Sequence, residues 1–226
     1  VWHIRLPRLE RPFITVSAGW STRAIGAGEY LDSFETHEAF LRGLQELGLH
    51  PDALALDAGY FERRSLYRHK GDDEQDTRFR QFSDWVREQG FSLSLWVSHN
   101  GRTGLDMDWV RQQGWLTGDG PGTYTGLDFV VMMQPEFEEA IARRFEQLVG
   151  DIGAVHLKID WDNECATCGA FSDKYPTHDH VREASVLAFN RIDRRLRNRS
   201  PQLITRNGWW PSPWWLCWAN HVWLVD

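Results

Sequence analysis

Apolar positions along the chain follow two periods in alternation. Short runs with a two-residue period predict strands at Ile14–Gly19, Ala53–Ala58, Phe91–Ser98, Val155–Asp160, Gln202–Thr205 and His221–Val225. Longer stretches between them carry a helical period. His37–Leu47 sets Phe40, Leu41, Leu44 and Leu47 on one stripe and stops at Gly48. Thr77–Gln89 buries Phe79, Phe82, Trp85 and Val86 and stops at Gly90. Pro135–Leu148 opens on a proline, which suits the first turn of a helix. His180–Arg197 turns Val181, Ala184, Leu187 and Ile192 inward.

Strands separated by helices predict a parallel sheet, because a parallel pair needs a long crossover. Two architectures fit, a doubly wound sheet and a (β/α)8 barrel. No Gly-x-Gly-x-x-Gly opens the first helix, so the dinucleotide fingerprint is missing. Polar or aromatic residues recur where the strands end: Trp20, Asp57, Ser98, His99, Asp160, Arg206, Asn207 and Asp226. A barrel builds its active site on that rim. The expected fold is therefore α/β, a (β/α)8 TIM barrel cut after its sixth strand. Residues 1–226 form one domain, with the last strands outside the chain.

Alternation also assigns faces. Val155, Leu157 and Ile159 share one side of their strand, and His156, Lys158 and Asp160 share the other. The apolar side packs on helices, so Lys158 and Asp160 point inward. Ala53, Ala55 and Asp57 point inward from the second strand, and Ser92, Ser94, Trp96 and Ser98 from the third. An aspartate at a strand end often caps the following helix. Three inward acids on one rim, Asp57, Asp160 and Asp226, are harder to explain that way. Two carboxylates across a pocket lined with Trp fit glycoside hydrolysis, one as nucleophile or base and one protonating the leaving oxygen.

Composition narrows the partners. Hydrophobic residues make up 42% of the chain and charged residues 25%, as in a folded globular protein. No apolar run approaches the ~18 residues of a membrane span, so no membrane partner is expected. Net charge is −7 and no basic stripe stands out, which argues against a nucleic-acid partner. Tryptophan is abundant at 13 residues, six of them between Trp209 and Trp223. Such clustering fits a groove that takes the C–H faces of sugars. The three cysteines, Cys165, Cys168 and Cys217, are an odd number and argue against a disulfide framework. Cys165 and Cys168 with His178 and His180 raise a zinc reading, but the spacing is not that of a standard finger. A loop packed by two thiols is preferred, and no metal or cofactor is expected. Both ends look cut, so the missing signal-peptide pattern leaves location open, with a lean to the cytoplasm.

Four segments carry a resemblance. Leu56-Asp57-Ala58-Gly59-Tyr60-Phe61 resembles the Asp-Asp-Gly-Trp-Phe signature of glycoside hydrolase family 36 and its relatives, the α-galactosidase clan. Leu95-Trp96-Val97 resembles that family's Gly-Leu-Trp segment. Lys158-Ile159-Asp160-Trp161-Asp162-Asn163 resembles Lys-Trp-Asp-Met-Asn-Arg, whose first Asp is the nucleophile. His221-Val222-Trp223-Leu224-Val225-Asp226 resembles Gln-Ile-Trp-Thr-Ser-Asp, whose Asp is the acid/base. The resemblance implies a retaining α-glycosidase barrel with Asp160 as nucleophile and Asp226 as acid/base. It implies that Lys158 binds a sugar hydroxyl and helps keep Asp160 ionised. It places Asp57 on hydroxyls at the far side of the sugar and Trp96 packed on the ring. Trp20, Trp161, Arg206 and Asn207 complete the expected substrate-binding set. Asp226 would hold its proton to a raised pH, as a general acid must.

Two departures bear on the sugar. Ala58 stands where the family has a second Asp, and Thr205-Arg206-Asn207-Gly208-Trp209-Trp210 replaces a Cys- and Gly-rich segment. The expected partner is an oligosaccharide or glycoconjugate, and a homo-oligomer stays compatible with the sequence. Two other readings remain: a non-catalytic barrel that grips carbohydrate with its Trp cluster, and a zinc-dependent hydrolase using Asp162, Cys165, Cys168, His178 and His180.

Overall fold

The computed structural model describes residues 9–18, 33–101, 104–118, 129–160, 165–207 and 219–222, with Arg206, Asn207, His221 and Val222 described by their backbone. The strands are β1 (Thr15–Ser17), β2 (Ala53–Leu56), β3 (Ser92–Val97), β4 (His156–Ile159), β5 (Ile204–Asn207) and β6 (His221–Val222). The helices described are α1 (Phe34–Glu46), α2 (Thr77–Glu88), α3 (Met107–Gln112), α4 (Pro135–Gly150) and α5 (His178–Arg199), with a 3-10 turn at Gly169–Phe171. The strands pair in sequence order β1-β2-β3-β4-β5-β6, every pair parallel. This is an α/β fold with one parallel sheet, consistent with a partial TIM-barrel-like domain.

Glycines end the helices where the pattern places them. Gly48 (φ 70°) and Gly90 (φ 86°) adopt the left-handed conformation that closes α1 and α2. Helix starts are set by polar side chains. Ser33 accepts a hydrogen bond from the Thr36 amide at 3.2 Å, so α1 begins at Phe34 rather than His37. Asp106 caps α3 by accepting from the Asp108 and Trp109 amides at 2.9 and 3.0 Å. At the head of α2 the residue in the cap position, Asp76, makes no side-chain cap bond. Asp73 accepts from the Thr77 amide instead, and Asp72 accepts from those of Arg78 and Phe79.

Several expected bounds shift. Strand β5 covers Ile204–Asn207 instead of Gln202–Thr205, which brings Arg206 and Asn207 inside the sheet. Helix α5 extends at both ends, and the short α3 and the 3-10 turn had no counterpart in the sequence reading. Leu47 lies past the end of α1 and is 75% exposed, so it leaves the predicted stripe, whose place His37 and Phe34 take. Trp85 is only half-buried, with the Arg42 guanidinium 5.2 Å over its ring. On α5, Ala184 and Leu187 are half-buried, while Ser185, Asn190, Asp193 and Arg197 are buried.

The core lies between the sheet and its helices. Leu54 and Leu56 of β2, Leu93 and Leu95 of β3, and Leu157 and Ile159 of β4 join the buried cluster with Phe79, Phe145 and Phe189 of the helices. The alternate residues point to the other face, where Ser94 Oγ lies 2.6 Å from His156 Nδ1. The two-residue alternation thus sorts apolar packing from polar contact as expected in β3 and β4.

Candidate active site

The register sets Trp96 of β3 beside Lys158 of β4, and Lys158 beside Arg206 of β5. Asp57 and Asp160 each follow the last residue of their strand. The Asp160 amide donates to the Val97 carbonyl at 2.9 Å, which continues the ladder one step beyond β4. Side chains then link the three strand ends. Lys158 Nζ donates to Asp57 Oδ2 at 3.0 Å, and Trp96 Nε1 donates to Asp160 Oδ2 at 2.9 Å. Asp57 Oδ1 also accepts from the Ala58 amide at 2.7 Å. Both carboxylates are 7% exposed, and a charge that far out of water needs a partner of opposite sign or a hydrogen-bond donor.

A bed of aromatic residues lies behind Trp96, itself 2% exposed. Phe61 stacks on it with ring centroids 5.9 Å apart and planes 9° from parallel. A Cβ at Gly104 would come within 2.7 Å of the Phe61 ring, so only glycine lets that segment close over the stack. Tyr67 donates its hydroxyl to the Ser98 carbonyl at 2.6 Å and accepts from the Ser98 amide at 2.9 Å. Burial pushes the phenols of Tyr60 and Tyr67 above their ordinary range, so both stay neutral. Tyr67 has a left-handed backbone (φ 57°), and Arg144 of α4 donates to its carbonyl at 2.9 Å and to that of Leu66 at 2.7 Å. Arg144 also holds Asp76 through both terminal nitrogens, which explains why Asp76 does not cap α2.

The sequence reading missed a second buried polar group. His99 Nε2 lies 3.6 Å from Asp193 Oδ1, both side chains fully buried, with Phe189 stacked 4.4 Å from the His99 ring. One turn on, Arg197 donates to the Leu203 carbonyl, Thr205 Oγ1 and Asn220 Oδ1. Asn220 Oδ1 also accepts from the Thr205 amide at 3.0 Å, which ties the residue before β6 to β5. The only signal in the sequence was a set of polar residues at helical spacing on the face that also carries Val181, Ile192 and Leu196.

Of the expected site residues, the structure brings together Asp57, Trp96, Lys158 and Asp160. Arg206 and Asn207 lie in β5 and are described by their backbone alone; Trp20, Trp161 and Asp226 lie outside the described residues. Cys165 and Cys168 are free thiols. Burial pushes the Cys165 thiol up to about 11, which keeps it protonated at neutral pH in the metal-free chain. His180 is engaged at the start of α5, its Nδ1 2.6 Å from Thr177 Oγ1. Among the described residues no group of three or more His, Cys, Asp or Glu is placed to hold a metal ion, and no helix is long and apolar enough to cross a membrane.

Among solved structures, the chain is similar to the α-galactosidase from Lactobacillus brevis, with a TM-score of 0.68 and 18% identity over 96% of this chain and 30% of that one. It is similar to a variant of the family 36 α-galactosidase AgaA from Geobacillus stearothermophilus in complex with stachyose, with a TM-score of 0.68, 17% identity, and coverage of 96% of this chain and 31% of that one. It is also similar to the α-galactosidase TtGalA from Thermus thermophilus in complex with stachyose, at a TM-score of 0.62, 18% identity, and coverage of 96% of this chain and 44% of that one. At such identities the likeness shows the fold alone. The chain spans less than half the length of each of these proteins. No protein-family model and no curated protein matches it.

Proposed function

We propose that this chain is the catalytic barrel segment of a retaining glycoside hydrolase of the α-galactosidase kind, acting on an α-glycosidic bond of an oligosaccharide or glycoconjugate. The observation that carries the reading is the linked set of Asp57, Lys158, Trp96 and Asp160 at neighbouring strand ends. Buried acids at that rim, tied to a cation and an indole donor, are the equipment of carboxylate chemistry on a polyhydroxylated ligand. Stachyose and raffinose bound to the similar enzymes support an α-linked sugar as ligand.

In the proposed reaction an Asp160 oxygen attacks the anomeric carbon while the C–O bond to the leaving group breaks. The leaving oxygen takes the proton of Asp226, and a covalent glycosyl-enzyme results. Asp226, now a carboxylate, removes a proton from water; that water attacks the anomeric carbon and the Asp160 carboxylate departs. Two displacements retain the anomeric configuration, and this requires the two carboxyl groups to stand ~5–5.5 Å apart. Lys158 and Asp57 offer a donor and an acceptor to sugar hydroxyls, and Trp20, Trp161, Arg206 and Asn207 complete the proposed substrate-binding set. In this reading the parallel sheet belongs to a barrel of the (β/α)8 type.

The test uses the intact protein with a panel of 4-nitrophenyl α-D-glycosides, and with raffinose and stachyose. Turnover with an α-anomer as first product by proton NMR is expected. Asp160→Asn and Asp226→Asn should each lower kcat by roughly three orders of magnitude or more, with the fold unchanged by circular dichroism. Near-normal turnover in Asp160→Asn would sink the assignment. Carbohydrate binding without any turnover would move the protein to the class of carbohydrate-binding barrels.

A further inference from the structure

We infer that Trp96 is a positioning residue, whose indole N–H fixes the rotation of the Asp160 carboxylate and so decides which oxygen meets the substrate. The inference rests on the reading of Asp160 as nucleophile and adds a partner to it.

A buried tryptophan needs an acceptor for its one N–H, and Trp96 directs it at Asp160 Oδ2. With 2% of its surface exposed and Phe61 stacked on one face, the ring has little area left for a sugar. Its polar edge is the part that reaches the site.

The same strand holds Asp160 twice. The Val97 carbonyl accepts from the Asp160 amide at 2.9 Å, which fixes the backbone, and Trp96, one residue earlier, holds Oδ2 of the side chain. Rotation of a carboxylate about its last bond is soft and nearly two-fold, so packing alone sets it poorly. A charge-assisted bond to Oδ2 sets it, and Oδ1 is thereby turned away from the indole. The donor also stabilises the negative charge that returns to the carboxylate when the glycosyl-enzyme ester breaks.

Trp96 is itself held in place from behind. Tyr67 packs 6.5 Å from it, with its hydroxyl on both backbone groups of Ser98. A bulky residue with positive φ is strained, and such strain persists where the surroundings over-determine it. Here Arg144 grips the carbonyls of Leu66 and Tyr67. A floor fixed to this degree is what a carboxylate poised for in-line attack requires.

Trp96→Phe keeps an aromatic ring and removes the donor. In the intact protein, assayed with whichever 4-nitrophenyl α-D-glycoside the wild type turns over, kcat should fall roughly tenfold to hundredfold with KM little changed. A rise in KM at constant kcat would show that the ring packs on the substrate, and would overturn the positioning role. Unchanged kinetics, with Asp160→Asn inactive, would overturn this inference while leaving the proposed function standing. Absence of turnover in the wild type on every substrate would overturn both. Should Trp96→Phe fail to fold, indole-15N-labelled protein decides. One indole proton resonance should move upfield in Asp160→Ala, and a spectrum without such a shift would refute the bond.

Discussion

The charged residues at the strand ends put a specific demand on stability. Lys158 and Asp57 have side chains only 13% and 9% exposed and meet at 3.0 Å, so each compensates the burial of the other. Removing Lys158 takes the cation from a carboxylate in a poorly solvated place. Lys158→Met is expected to cost about 2–4 kcal/mol, and Lys158→Met combined with Asp57→Asn to cost less than the sum of the two single changes. Urea unfolding of the four proteins measures the coupling, and strict additivity would mean that the pair contributes nothing. This constellation was legible in the sequence because side-chain direction in a strand has a period of two. Once Leu157 and Ile159 are assigned to the helices, Lys158 and Asp160 must face the other way. The partner each residue takes was not legible. Alternation says that Trp96 and Asp160 share a face, but the direction of an indole N–H depends on rotamers and on Phe61 and Tyr67, which arrive from another loop.

At the scale of elements, the segment between β2 and α2 carries the most unusual local structure. It pairs Phe61 with His69, sets Tyr67 in a left-handed conformation and delivers Asp76 to Arg144 on α4. Arg144 answers three groups of this loop at once, the Leu66 and Tyr67 carbonyls and the Asp76 carboxylate. Arg144→Met should therefore destabilise the fold by about 3–5 kcal/mol, since it leaves a buried carboxylate and two carbonyls without their donor. Limited proteolysis should show new cleavage between Gly59 and Asp76 before the rest of the chain opens. Cleavage that appears everywhere at the same rate would mean that the loop is not separately anchored. Helix ends divide by the same logic. Gly48 and Gly90 announced the stops of α1 and α2 because the left-handed conformation favours glycine. The start of α1 was misplaced because Ser33 acts at a distance of three residues. The inner face of α5 was misread because a buried Asp193 and Arg197 look like surface residues until His99 and Asn220 are brought to them.

For the whole molecule, acid should act through two buried imidazoles on and beside α1. His37 on α1 is fully buried, and neither ring nitrogen has a hydrogen-bond partner among the described residues. His69 stacks on Phe34 at 3.7 Å, and among the described residues only its Nδ1 has a partner, the Lys70 carbonyl. Burial lowers both from 6.5 to about 4, helped at His37 by the neighbouring His69 and opposed at His69 chiefly by that Lys70 contact. Asp72 favours the charged form of His69, while Arg78 and Lys70 oppose it. The unfolded chain thus binds more protons than the native state between pH 6.5 and 4. Stability is full above pH 6.5 and declines as the pH falls to about 4, by an amount on the order of a few kcal/mol for each residue. The Arg195–Glu139 ion pair, which joins α5 to α4, titrates below this window. Arg195 and Arg143 hold the Glu139 carboxyl down at about 2, so that clamp stays charged throughout. His37→Leu separates the two accounts, since it removes one titrating ring and two buried nitrogens without partners among the described residues. Its stability at pH 7.5 should match or exceed that of the wild type, and its loss between pH 6.5 and 4 should be about half as steep. Equal slopes for the two proteins in urea titrations across that range would place the acid sensitivity elsewhere in the molecule.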